Sequence, residues 1–240
     1  MKYYGAQMGL DRRLGDLPIY TGLFIGHTYG DPKPTGGSAK AKSYFGGLYA
    51  TYIHEDSGIY VDGVLKFNRY KHSFTVEDTQ KNMVEGDTNN NGMSASLEVG
   101  KRFHFQQPKQ GWYIQPQMQH TYSRVGSTEF TASNGLNIRL DSYNSNVGRY
   151  GFSLGYEMSN GSTEYNLYWK TAFVREFSGR GHYYLNGEKE NHYFRGNWWN
   201  NGLGINARIN QRHDFYLEVD TNRGHNFDTF NVNGGYRFIF

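Results

Sequence analysis

The sequence predicts an all-β chain, an antiparallel transmembrane β-barrel with about eleven strands, in a single domain over residues 1–240. Three observations predict it. Apolar and polar residues alternate with period 2 from end to end. The connections between alternating segments are short and long by turns. The chain closes on NVNGGYRFIF, residues 231–240, where an aromatic stands at every second place although terminal residues usually fray.

Composition removes other classes. Mean hydropathy is −0.78, but 17% of residues are aromatic, which disordered chains are not. Net charge is only +3 and basic residues do not gather on one face, so no nucleic acid is expected as a partner. The cysteine count of 0 rules out disulfides and thiolate metal sites. The longest uncharged stretch near an apolar core, Leu17–Gly30, is too short for a spanning helix, which needs about 20 residues. MKYYGAQMGLDRR has no apolar h-region, so it is not read as a signal peptide. A barrel whose strands meet lipid with one face only escapes hydropathy averaging.

Taken in order, each segment divides into two faces. In 3–12, Tyr4, Ala6, Met8 and Leu10 oppose Gly5, Gln7, Gly9 and Asp11. Less regular strands follow at 18–29 and 43–54. In 58–70, Ile59, Val61, Leu65 and Phe67 oppose Asp62, Lys66 and Asn68. In 92–105, Ala95, Leu97, Val99 and Phe103 oppose Ser94, Ser96, Glu98 and Arg102. In 112–124, Ile114, Met118 and Tyr122 oppose Gln115, Gln117, Gln119 and Ser123. In 147–158, Tyr150, Phe152, Leu154 and Tyr156 oppose Arg149, Ser153 and Glu157. In 163–176, Tyr165, Leu167, Trp169 and Phe173 oppose Asn166 and Lys170. In 198–209, Leu203, Ile205, Ala207 and Ile209 oppose Asn206 and Arg208. In 214–222, Phe215, Leu217 and Val219 oppose Tyr216, Glu218 and Asp220. The strand 227–240 closes the series.

Short connections are expected at Leu14–Leu17, Glu55–Ser57, Gln106–Gly111, Ser159–Ser162 and Asn210–His213. Long ones are expected at Gly30–Lys42, Lys71–Asn91, Gly126–Asn146 and Ser178–Asn197; Thr221–Asn226 alone breaks the contrast. A soluble sandwich has no reason to sort its turns by length, whereas an outer-membrane barrel has short periplasmic turns and long extracellular loops. Strands of about 10–13 residues also suit a tilted crossing of a roughly 25 Å apolar band. Tyr3, Tyr4, Tyr60, Trp112, Tyr113, Trp198, Trp199, Phe238 and Phe240 stand near segment ends, as interfacial girdle residues do.

Several stretches together resemble the translocator β-domain of bacterial autotransporters (type V secretion). They are QMGLDRR at 7–13, YTGLFIGHTYG at 20–30, FGGLYATYIHEDSGIYVDGVLKFNR at 45–69 and SLEVGKRFHF at 96–105. YIQPQMQHTYSRVGSTEFTASNGLNIRLDSYNSNVGRYGFSLGYEM at 113–158 and NVNGGYRFIF at 231–240 complete them. The resemblance implies a twelve-stranded barrel with a helix threading the pore and tethering an N-terminal passenger. It implies a monomer in the Gram-negative outer membrane that exports that passenger. Its partners are lipid and lipopolysaccharide, the barrel assembly machinery and its own passenger segment. Against that pattern this sequence begins at the second strand; the first strand, pore helix, passenger and signal peptide are expected to be lacking from it. The alternative is a stand-alone barrel acting as a small porin or adhesin.

Candidate site residues follow from the polar faces. Asp62, Lys66, Glu98, Arg102, Gln115, Gln117, Gln119, Arg149, Lys170, Arg208 and Glu218 are expected to line the pore. Their mixed signs suit a non-selective polar passage, and equally a lumen cross-braced between strands. No enzyme, catalytic residue, cofactor or metal is assigned. Glu176 with His182, and Asp220 with His225 and Asp228, are acid–histidine groupings that lack a placed third group. No histidine pair has metal-binding spacing. Lys33, Lys40 and Lys42 could meet lipopolysaccharide phosphates.

Tyr236, Phe238 and Phe240 resemble the terminal signal read during barrel assembly, by addition of the last strand to the assembly factor. Replacing Phe240 by Ser in the full-length protein should lower surface yield and raise periplasmic degradation. Unchanged yield with unchanged heat-modifiable mobility on gels would refute that role.

Overall fold

The computed structural model describes residues 2–106, 110–224 and 227–240, with Phe227 described in its backbone alone. Eleven strands form the wall, in the order β1 (Lys2–Arg13), β2 (Ile19–Asp31), β3 (Gly37–His54), β4 (Ile59–Glu77), β5 (Met83–Lys101), β7 (Gly111–Val125), β10 (Tyr143–Asn160), β11 (Thr163–Glu176), β14 (Gly196–Ile209), β15 (His213–Gly224) and β16 (Phe227–Phe238). Each is antiparallel to the next. The two-residue β6 (Phe103–His104) continues β5 in the same register against β7. Two hairpins rise from the long-loop end: β8 (Thr128–Thr131) with β9 (Asn137–Leu140), and β12 (Arg180–Leu185) with β13 (Glu188–Tyr193). β9 pairs with β12, so the two loops make one small sheet.

Register carries the alternating pattern round the sheet as a continuous belt. Leu10 opposes Leu23, which opposes Leu48, which opposes Leu65. Further round, Leu167 opposes Ile205, and Ile205 opposes Leu217. These residues form the outer face: Leu10 is 74% exposed, Leu97 57% and Leu203 62%. In water such a belt would drive aggregation; in a membrane it is the surface that meets lipid.

The structure lengthens the expected strands. β3, β4, β5 and β10 run 18, 19, 19 and 18 residues, so the connections expected at 30–42 and 71–91 shrink to 32–36 and 78–82. The reason is physical: beyond the membrane the outer face meets water and the inner face packs under the β8–β9 hairpin, where Val84 and Thr88 are buried and Phe74 meets Phe130, so KHSFTVE and MVEGDTNN show no long apolar stripe. Asp78 fastens the tip of the β4–β5 hairpin by accepting from the backbone N–H of Gln80 (2.8 Å) and Asn82 (2.9 Å). Those bonds, Asn82 first, hold its carboxyl below the usual range. Residues 107–109 and 225–226 of the expected connections lie outside the described residues.

β1 and β16 end the ladder and stand side by side, as Tyr3 bonds to Asn231 and Arg237 to Asp11. Tyr3 precedes Asp11 and Asn231 precedes Arg237, so the two strands run parallel. Among the described residues no backbone pairing joins them.

The belt fixes an outcome. Leu97→Arg should cost about 2–4 kcal/mol of stability if the site lies near the bilayer midplane, and Gln117→Arg on the inner face far less. Equal costs in denaturant unfolding from vesicles would show the faces to be misassigned.

Candidate functional site

The inner face is built where successive strands turn their polar residues to the concave side. Glu98 is the first centre. It accepts from the Tyr60 hydroxyl at 2.7 Å and from Arg149 Nη2 at 2.5 Å, while Tyr60 also reaches Gln117 at 3.2 Å. Gln119 stands in register between Glu98 and Arg149. At the second centre Arg102 pairs with Glu157, donates through Nε to Gln115 at 2.8 Å, and lies 4.3 Å from the Tyr113 ring centroid. His104 Nε2 is 2.7 Å from the other Glu157 oxygen. At the third, Lys170 Nζ and the Tyr168 hydroxyl donate to Glu218 at 2.5 and 2.8 Å. Several of these contacts skip a strand, as only side chains inside a curled sheet can.

The other expected lining residues sit on the same face. Asp62 bonds to Thr51, Lys66 Nζ lies 4.0 Å from the Phe45 ring centroid, and Arg208 donates to Asp214 at 2.7 Å nearer the short-turn end. A cavity of about 240 Å³ opens between the second and third centres, lined by Arg102, Gln117, Arg149 and Glu218 among others. Glu98, Glu157 and Glu218 are therefore each paired with a cation from a strand beyond the next, and both signs mix along the described inner face.

Two features were missed in the sequence. Tyr60 and Tyr113, expected in the aromatic girdle, are inside; Tyr113 is 1% exposed and donates to Asn166 at 3.0 Å. Tyr3 and Trp198 also fall on the inward register, Tyr3 at the seam. Tyrosine suits both a wet boundary and a polar lumen, so its type alone does not choose. The signal that does choose is a cross-strand glycine. Tyr49, Tyr60, Tyr113, Tyr168 and Tyr216 stand directly opposite Gly22, Gly100, Gly155, Gly204 and Gly235. Each ring lies over its glycine, and a Cβ at Gly155 would meet the Tyr113 ring at 2.4 Å.

The second missed feature surrounds Asp220, which is buried. Amides of Asn200 (3.1 Å), Asn231 (3.0 Å), Asn222 (3.3 Å) and Asn233 (3.5 Å) all donate to its carboxylate. Asn231 then bonds to Tyr3, linking this cage to the seam. Asp228 stands opposite Arg223, away from Asp220, and His225 lies outside the described residues. Glu176 is occupied by Ser145, by the backbone N–H of Asn146 at 2.8 Å and by that of Ser178 at 2.9 Å, whereas His182 pairs with Asn191. Glu176 and His182 are thus each bonded to other partners. Tyr236 and Phe238 face outward; Phe240 is 95% exposed and lies beyond the end of β16.

Comparison with known proteins decides the family. The model of the Autotransporter beta-domain matches residues 1–220. This chain belongs to the autotransporter β-domain family. It is 47% identical over its whole length to the Probable autotransporter YcgV of Escherichia coli K12, and 32% identical over 93% of its length to the Pertactin autotransporter of Bordetella bronchiseptica. It spans about a quarter of each relative's length, 25% and 24%. The crystal structure of the beta domain of the Bordetella autotransporter BrkA superposes with TM-score 0.84 at 27% identity, covering 99% of this chain and 91% of that one. The translocator domain of NalP from Neisseria meningitidis shares the fold alone, with TM-score 0.78 at 15% identity over 99% of this chain and 81% of that one. The β-domain is thus an outer-membrane translocator of Gram-negative bacteria, and its wall is a transmembrane barrel.

The ring-over-glycine packing gives a test inside this β-domain. Gly155→Ala should lose about 1–3 kcal/mol by overpacking. Adding Tyr113→Ala should make the glycine substitution nearly neutral in a double-mutant cycle of unfolding free energies. Additive losses would mean that the ring does not need the glycine.

Proposed function

We propose that the inner face lines a hydrated passage through which the upstream passenger of the full-length protein reaches the cell surface. The observation that carries this is the inversion of polarity: lipid-facing residues are apolar, and the three inward centres pair every carboxylate with a cation or hydroxyl. Such a lining presents hydrogen-bonding groups without a net field, so an extended polypeptide of any sequence meets no selective barrier.

The parallel seam supports the direction of export. An odd wall cannot close antiparallel, and bacterial single-chain barrels have even strand numbers. One further strand from the upstream part of the longer protein would run antiparallel to both β1 and β16 and complete a wall of twelve. β1 starts at the long-loop end, so that added strand would begin at the short-turn, periplasmic end. A passenger joined to it and displayed outside would have to return through the lumen. In this reading the β-domain acts as a monomer, is assembled through its aromatic last strand, and performs no catalysis of its own.

A photo-crosslinking residue at Gln117 or Leu97 of the full-length protein tests the passage. During export Gln117 should crosslink to passenger, whereas Leu97 should not. Equal or absent crosslinking at Gln117, with export intact, would refute a route through the lumen.

A further inference from the structure

The outer face of β2, β3 and β4 changes character along its height. Near the β3–β4 turn it carries Leu48, Leu65 and Phe67, and Phe67 is 54% exposed. Farther out, Tyr44 opposes Arg69 and Lys42 opposes Lys71, with Lys40 one outward place beyond. Tyr44 and Lys71 share this face, as Lys71 Nζ lies 6.0 Å from the Tyr44 ring centroid. About ten residues of a tilted strand cross the roughly 25 Å apolar band. Counted from the turn, that distance puts Tyr44 and Arg69 at its outer boundary and Lys42 and Lys71 just above it.

Like charges placed directly opposite on a sheet repel. Here Lys42 faces Lys71, and Arg69 is the next outward residue on the same strand. Among the described residues, none of Lys40, Lys42, Arg69 or Lys71 forms an ion pair. The carboxylates on this face stand level with Lys40 and beyond the other three: Asp31 is one step past the Gly30–Ala41 pair, and Asp87 is opposite Ser73, which faces Lys40. Lys42, Arg69 and Lys71 are thus three cations with no carboxylate in their own rows at the outer edge of the apolar band, and they call for an anion from outside. The apolar strip beneath them calls for acyl chains on the same molecule.

The geometry points to Lys42, Arg69 and Lys71 as a binding site for a phosphorylated glycolipid of the outer leaflet, its phosphates on the cations and its acyl chains along Tyr44, Leu48 and Phe67. The assignment rests on the outer-membrane reading of this family, and on nothing about the passenger. A surface cation near anionic lipid strengthens binding about fivefold. Removing three together should weaken binding by more than about tenfold.

The test uses full-length protein purified in non-ionic micelles and titrated with diphosphoryl lipid A, the same lipid without phosphates, or inorganic phosphate. The intact protein should prefer the diphosphorylated lipid over the dephosphorylated one by about tenfold or more, with inorganic phosphate a poor competitor. The triple variant Lys42→Gln, Arg69→Gln, Lys71→Gln should lose that preference. Lys42→Arg with Lys71→Arg should keep it, as should Lys33→Gln with Lys81→Gln in the loops. Passenger export in cells should proceed in all of them, which separates this site from the passage itself. Equal binding of both lipids by the intact protein would overturn the proposal even if the triple variant failed to fold. Undiminished preference in a folded triple variant would also overturn it.

Discussion

Hydrocarbon offers no hydrogen-bond partner to a peptide group, and each unpaired group there costs several kcal/mol. The rest of the β-domain follows from that constraint. It forces the strands into one continuous ladder, which in turn forces the sheet to curl until its ends meet. Curling sorts the side chains, because a strand alternates its residues between faces. The outer face must then be apolar, and the inner face, cut off from lipid, is free to be polar. Glu98, Glu157 and Glu218 occupy positions that a soluble sandwich would fill with core residues.

The lumen adds a constraint of its own. A half-enclosed charge is costly unless it is paired and hydrogen-bonded. Arg149 and Tyr60 meet Glu98 from different strands, and Lys170 and Tyr168 meet Glu218 from the one strand β11. Bracing the wall and lining the proposed passage would therefore fall to the same side chains. The tyrosines that reach these acids need room, and glycines on the next strand provide it. That is why a chain with 31 glycines can still be a rigid sheet: many of the glycines lie under rings.

The two faces were legible in the sequence because a period of 2 survives any change of register direction: Leu65, Leu97 and Leu217 are read outward, and Lys66, Glu98 and Glu218 inward, from alternation alone. What alternation does not encode was not legible. Above the membrane the outer face is wet and the inner face packs on the distant β8–β9 hairpin, so the outer halves of β4 and β5 look like loop. Tyr60 and Tyr113 look like girdle residues until Gly100 and Gly155 are found opposite them, and that pairing needs the register between strands. The amide cage of Asp220 draws on β14, β15 and β16, and no local window contains it.

The seam shows the same constraint at its limit. Everywhere else neighbouring strands share a ladder; between β1 and β16 only side chains reach across, Tyr3 to Asn231 and Arg237 to Asp11. Both contacts end in groups already fixed from behind. Asn231 is held by Asp220, and β16 is tied at its end by the bond from the Ile239 N–H to the Arg212 carbonyl at 2.8 Å. Side-chain bridges can set two edges at a distance, but they leave the backbone N–H and C=O groups of both edges bare. A strand inserted there would satisfy both edges at once, because edges that run parallel are antiparallel to the same third strand. The odd wall and the parallel seam are thus one fact. Under the proposed function, a strand added at this seam would also set where a chain joined to it enters the polar lumen.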